Sequence, residues 1–270
     1  MKDFLMTTRK YLLIYWLFVK NSIMSQMEYR ANFIIAMFIQ LANMGIKLTY
    51  VIVLYSTGAH INGFSPDQMM IMIGTYSALS GVFVSFYLLN FSNLSTLVQN
   101  GTLDTYIVKP IDLQFIATLK SINVAFAATS VLGGGVMIGV GWVRSGINFS
   151  IVNILGFLGF TLWGLFLTYS VFLIPNLLCF WTISSRGLNA LVGPMWDFNN
   201  MPMTIYDGAI KFIGTFIVPV FLITNMSGLF IMKKLDTSLV IWSLIAPILF
   251  FALCRWLWKK AMRRYVSVSG

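Results

Sequence analysis

The stretch Asn32–Tyr55, "NFIIAMFIQLANMGIKLTYVIVLY", decides the fold class. Its one charge is Lys47, and as a helix it would extend about 36 Å, more than the roughly 30 Å hydrocarbon core of a bilayer. Such a run reads as a membrane span. Its flanks give it a direction. Residues 1–30 hold Lys2, Arg9, Lys10, Lys20 and Arg30, whereas the loop 56–67, "STGAHINGFSPD", holds no Lys or Arg. Basic flanks favour the cytoplasmic side, so the N-terminus is expected inside and this loop outside.

The rest of the chain repeats the pattern. Of its 270 residues, 58% are hydrophobic and 10% charged, against about 25% charged in soluble domains. The expected architecture is an all-α integral membrane protein with six transmembrane helices. Spans are expected at about 32–55, 68–90, 121–142, 151–181, 187–205 and 237–258. Arg255, Lys259, Lys260, Arg263 and Arg264 follow the last apolar run and place the C-terminus inside too, which requires an even number of crossings. The net charge of +10 sits beside apolar runs, so anionic membrane lipid accounts for it and nucleic acid does not.

Within residues 9–30 the apolar run Tyr11–Val19 extends only about 14 Å as a helix, too short to span. At helical spacing Leu12, Tyr15, Trp16, Val19 and Ile23 share one side, and Lys10, Lys20, Asn21 and Glu28 another, which predicts an amphipathic helix in the membrane interface. No Ala-x-Ala-like site follows, so the segment does not read as a cleaved signal. In the third span, Gly133–Gly135 and the pair Gly135-x-x-x-Gly139 allow close helix approach. Pro175 is a kink candidate in the fourth. Residues 187–230 admit two topologies. In one, 187–205 crosses and 208–230 is a re-entrant outer hairpin. In the other, 187–207 is cytoplasmic and 208–230 crosses.

Catalytic chemistry has no foothold. Cys179, Cys254 and His60 make neither a disulfide framework nor a metal site, and no phosphate-binding loop occurs. Any ATP-driven work therefore needs another chain as the ATPase. Two intramembrane charges stand out, Lys47 and Asp197. Lys47 lies in the outer half of its span, where a lysine can snorkel to the headgroups. Asp197, with Asn199 and Asn200, either lines a polar path or is an interfacial loop residue. An ion-coupled transporter or channel calls for a denser charge set and an internal repeat of spans. A membrane-embedded lipid-modifying enzyme calls for clustered acids or histidines.

A polar island, "VQNGTLDTYIVKPID" (98–112), lies between the second and third spans, on the cytoplasmic side. Asn100-Gly101 signals a turn, and Asp104 suits the start of a short helix with Leu103, Tyr106 and Ile107 as apolar contacts. Lys109-Pro110 ends it. Together with "MEYRANF" (27–33) and "MPMTIYDGAIKFIGTFIVPVF" (201–221), this island resembles the six-span permease subunits of ABC-2 type ATP-driven transporters, over essentially the whole chain. The family's usual aromatic before Pro202 is Met201 here. The resemblance implies a bacterial cell-membrane exporter for an amphipathic, lipid-like, drug or peptide substrate. Two such subunits, identical or related, would meet along the first, second and fifth spans. Two copies of a separate ATPase would bind ATP and Mg, and no cofactor would belong to this chain. The resemblance also assigns 98–112 as the coupling loop, with Gly101, Leu103, Asp104, Tyr106, Lys109 and Pro110 as its contact residues, and it favours the re-entrant hairpin.

Overall fold

The computed structural model describes residues 2–58, 60–182 and 186–265, which are helical with no strand among them. The first helix, α1 (Lys2–Glu28), turns at Tyr29 into α2 (Arg30–Thr57), which ends on Gly58. Next, α3 (Pro66–Val82) continues through a π-helical stretch, Phe83–Leu88, into α4 (Leu89–Gln99). The start of α3 is written in its sequence. Ser65 and Gln68 form a capping box, Pro66 opens the helix and Asp67 sits in the first turn, each suited to the positive helix start. Pro66–Gln99 is one 34-residue apolar rod, so the second span runs past residue 90 into what was expected to be loop.

A single turn, α5 (Asp104–Ile107), and α6 (Leu113–Leu119) lead to α7 (Val124–Arg144). Then α8 (Ile151–Asn176) tightens into a 3-10 turn, Leu177–Phe180, just after Pro175. Beyond it, α9 (Arg186–Asp197) is followed by 3-10 turns Phe198–Asn200 and Met203–Ile205. Then come α10 (Gly208–Phe212), a π-helical turn Ile213–Ile217, α11 (Phe221–Ile231) and α12 (Thr237–Arg264). Among the described residues five helices are long and apolar enough to cross a bilayer, and the pair Gly208–Ile217 and Phe221–Ile231, bent by 96°, is a broken span or a re-entrant loop. This is an all-α integral membrane protein.

In such a bundle close packing, rather than hydrophobic expulsion from water, holds helices together, and α3 is the central member. It runs antiparallel to α7, with Gly141 against Asp67 and Ile71, Gly134 against Gly74 and Ser130 against Gly81. The small-residue seam is therefore Gly134 and Gly141, whereas Gly135 and Gly139, the expected pair, have nothing within 4 Å of a built Cβ. On the other side α11 lies antiparallel to α8, Ile223 beside Gly164 and Phe230 beside Gly156.

Contacts define two ends of the bundle. At one, called the first-loop end, Asn62 donates to Thr204 O at 2.7 Å and Lys234 donates to Gly63 O at 2.6 Å. At the other, the terminal end, Phe180 packs on Trp258 and Tyr265. The chain thus passes from the terminal end at Phe180 to the first-loop end at Thr204, and the bent pair begins and finishes at that same first-loop end. The bend falls at Val218–Val220, where Pro219 cannot donate to a helix and restricts Val218.

At the terminal end α1 lies across α6 and the start of α7. Gln26 donates to Ile122 O at 2.7 Å, and Tyr11, Tyr15 and Phe18 surround Phe115. The packed face is therefore Tyr11, Tyr15, Phe18, Ser22 and Gln26. Of the expected apolar stripe, Leu12, Trp16 and Ile23 are exposed. The protein-facing side of α1 is thus rotated from the predicted stripe, which leaves apolar side chains on more than one face of the helix.

Candidate functional site

Two places gather the residues singled out above. The first is the loop 98–112. Gly101 adopts φ +68, a left-handed conformation that glycine enters without strain, and it turns the chain back so that Leu103 N donates to Leu97 O at 3.1 Å. Leu103 is thereby buried completely in the main core. It is the anchor of the loop, not part of its contact surface as expected. Tyr106 is partly covered, its hydroxyl accepting from Lys120 Nζ at 3.0 Å with the ammonium groups of Lys109 and Lys120 near its ring face. What projects is the ridge Ile107, Val108, Lys109 and Pro110, with Val108 82% exposed. Asp104 opens the turn and is partly covered.

The ridge is rigidly mounted. Lys10 donates to Pro110 O at 2.9 Å, and the backbone N–H of Asp112 donates to the Tyr11 hydroxyl at 3.0 Å, so α1 grips the loop from the side. Asp112 caps α6 through Phe115 N and accepts from Arg255 of α12 at 2.5 and 3.2 Å. Arg255 also donates to Gln114 Oε1 at 2.7 Å, and Gln114 in turn donates to the Tyr169 hydroxyl at 3.0 Å. Burial alone would raise the Asp112 carboxyl, but the hydrogen bonds from Arg255 and from the Phe115 N–H outweigh it and hold its pKa below the usual carboxylate value.

The second place lies about 15 Å along α3 from the first-loop end. Lys47 does not snorkel outward. Its Nζ donates to Ser77 Oγ at 3.2 Å and stands 4.8 Å from the centre of the Tyr76 ring, while the Tyr76 hydroxyl donates to Asp197 Oδ1 at 3.0 Å. Lys47 and Asp197 thus meet the same tyrosine, one at its ring and the other at its hydroxyl. Trp196 fixes α9 there, donating from its indole N–H to Ser80 Oγ at 2.8 Å and stacking on Phe83 at 4.3 Å. Asp197 and Asn200 are exposed on the flank of the chain. Asn199 is not, at 3% exposure. Its Oδ1 accepts from Thr224 at 3.1 Å, so it ties the end of α9 to α11 rather than lining a path. Between the end of α9 and the bent pair, Met195, Phe198, Ile213, Val218, Val220 and Phe221 line an almost wholly apolar cavity of about 330 Å³, which Asp197 adjoins through Phe198 without lining it.

Tyr76 and Ser77 were missed by inspection of the sequence. Their signal was present: "TYSALS" puts Tyr76, Ser77 and Ser80 on one face of an otherwise apolar span, and polar side chains in a span turn toward protein.

No cluster of three or more metal-ligating side chains occurs among the described residues. A family model described as ABC-2 family transporter protein matches residues 41–269. The chain belongs to the ABC-2 transporter family. It is a membrane permease of the ABC transporter type, multi-pass and a transport subunit in kind, and such permeases generally work with an ATPase partner. No curated protein and no solved structure matches the chain significantly.

Proposed function

We propose that this ABC-2 permease is half of the membrane part of an ATP-driven exporter in a bacterial cell membrane, with both termini in the cytoplasm. Two permease subunits pair, and two copies of a separate ATPase, which bind ATP and Mg, dock beneath them. The observation that carries this reading is the ridge Ile107–Pro110. Two adjacent apolar side chains, Ile107 and Val108, stand out at the terminal end on a mount tied to α1, α6, α8 and α12. Exposed apolar side chains on a rigid polar loop suit a protein partner better than water does.

In this reading the stretch 187–205 is the fifth crossing, made as a broken helix, and 208–230 is a re-entrant hairpin from the outer side. The contacts of Phe180, Thr204 and Lys234 support it. The docking loop then sits at the inner end of the rod Pro66–Gln99, and Tyr76 toward the outer end of the same rod. Between them lies the π-helical stretch Phe83–Leu88, a local irregularity of the kind found at functional positions. A push on the loop reaches Tyr76 and Asp197 through one element. The face bearing Asp197, with the apolar cavity beside it, is the translocation path.

Co-purification in nanodiscs tests the coupling. Ile107→Asp plus Val108→Asp changes only exposed positions, so the permease folds, while ATPase retention and stimulated ATP turnover fall. Unchanged retention and turnover in that variant would refute the docking role. Cysteine labelling at Thr204 and Lys211 from the outside only is the corresponding result for the hairpin, and labelling at Thr204 from the inside refutes it.

A further inference from the structure

We infer that Asp197 is the counter-ion for the cationic group of an amphipathic organic substrate whose apolar body occupies the cavity beside it. This rests on the reading of that face as the translocation path. Asp197 is the last residue of α9, at the negative end of a helix, where a carboxylate is disfavoured. In that reading it also lies at hydrocarbon depth, where an uncompensated charge is expensive. The chain compensates it incompletely. Tyr76 donates to Oδ1, no described residue donates to Oδ2, and Lys47, near enough to attract the carboxylate, gives its hydrogen bond to Ser77 instead. A positive group is what the exposed side of Asp197 lacks.

The surroundings select the rest of the ligand. The exposed Phe198 offers aromatic surface next to the carboxylate, backed by the buried rings of Tyr76 and Trp196, and ring faces attract cations. Phe198 and Met195, on either side of Asp197 in the chain, also line the cavity of about 330 Å³. A molecule that seats its cation on Asp197 can therefore bury its apolar part between α9 and the hairpin. An anion of the same shape meets the Asp197 charge and the helix end, both repulsive.

Two isosteric probes of opposite charge, tetraphenylphosphonium and tetraphenylborate, test this by equilibrium binding to the permease alone in phosphatidylglycerol nanodiscs. No ATPase is present, so the outcome is independent of whether the loop 98–112 couples to one. Saturable binding of the phosphonium is expected. Asp197→Asn weakens it about tenfold or more, the scale of one lost charge-assisted contact, and Asp197→Glu retains it. Ile213→Trp, which fills the cavity, weakens it as well. Equal phosphonium binding by wild type and Asp197→Asn overturns the proposal, as does saturable borate binding at the same site. Competition by added phosphatidylethanolamine overturns the assignment to a free organic cation in favour of a lipid amine. If Asp197→Asn does not purify as a single species, the wild type decides. Phosphonium should protect Asp197 from a hydrophobic carbodiimide, mapped by peptide mass spectrometry, and labelling indifferent to phosphonium overturns the site.

Discussion

Neighbouring glycines in α7 provide a controlled test of the packing. A Cβ added at Gly134 would stand 2.6 Å from Gly74 O, 2.7 Å from Ala78 N and 2.9 Å from Ala78 Cβ, whereas one added at Gly135 meets nothing within 4 Å. The obstacles at Gly134 belong to the α3 backbone or its first carbon, so no rotamer change removes them. Gly134→Ala must push α3 and α7 apart, opening the seam that also holds Gly141 against Ile71 and Ser130 against Gly81. Overpacking of this kind costs about 1–3 kcal/mol, and at about 2–4 °C per kcal/mol for a chain of this size the Tm falls by several degrees. Gly135→Ala carries no clash, and replacing a helical glycine gains up to about 1 kcal/mol, so its Tm holds or rises. Thermal unfolding in one detergent, followed by size-exclusion fluorescence, measures both. Equal shifts for the two variants would refute the assignment of the α3–α7 seam.

Two further outcomes follow from the loop. Leu103→Ala removes a fully buried anchor, a change that typically costs about 2–5 kcal/mol. Limited proteolysis should then cut within 98–112 where the wild type resists, and equal resistance would show that Leu103 does not hold the loop. The Asp112 carboxyl has a native pKa below its unfolded value, so its stabilisation is complete above the unfolded carboxylate pKa of about 3.9 and is lost as pH falls through the native value. Wild type should therefore lose Tm over that acid window more steeply than Asp112→Asn, and parallel pH profiles would remove the Asp112–Arg255 pair from the account.

The membrane class was legible because it needs only run length and charge, both one-dimensional. Asn32–Tyr55 lies within α2, and the spans predicted at 151–181 and 237–258 coincide with α8 plus its 3-10 turn and with the apolar part of α12. The end of the second span was less legible. Nothing in "FSNLSTLVQ" is apolar enough to read as a span, yet these residues continue the helix to Gln99, held by α6 and α8 rather than by lipid. Around 186–205 the difficulty is different. Its helix lasts 12 residues before breaking into 3-10 turns, so run length, the signal that worked elsewhere, does not apply.

Which side of a residue faces the protein is a tertiary fact, and the candidate site turned on it three times. A one-turn helix has no period, so "LDTYIV" does not say that Leu103 plugs the core while Val108 projects. That depends on Gly101 turning the chain toward Leu97. Asn199 and Asn200 are identical neighbours, but only Asn199 meets Thr224. Lys47 and Asp197 were each weak signals because a lone charge in a span has an inexpensive escape to the headgroups. Tyr76 changes that account by placing a donor on Asp197 and a ring under Lys47, 150 residues apart in sequence. With both charges engaged by the same side chain, snorkelling no longer accounts for either, and the side of Asp197 that Tyr76 leaves uncovered is where the inferred cation would sit.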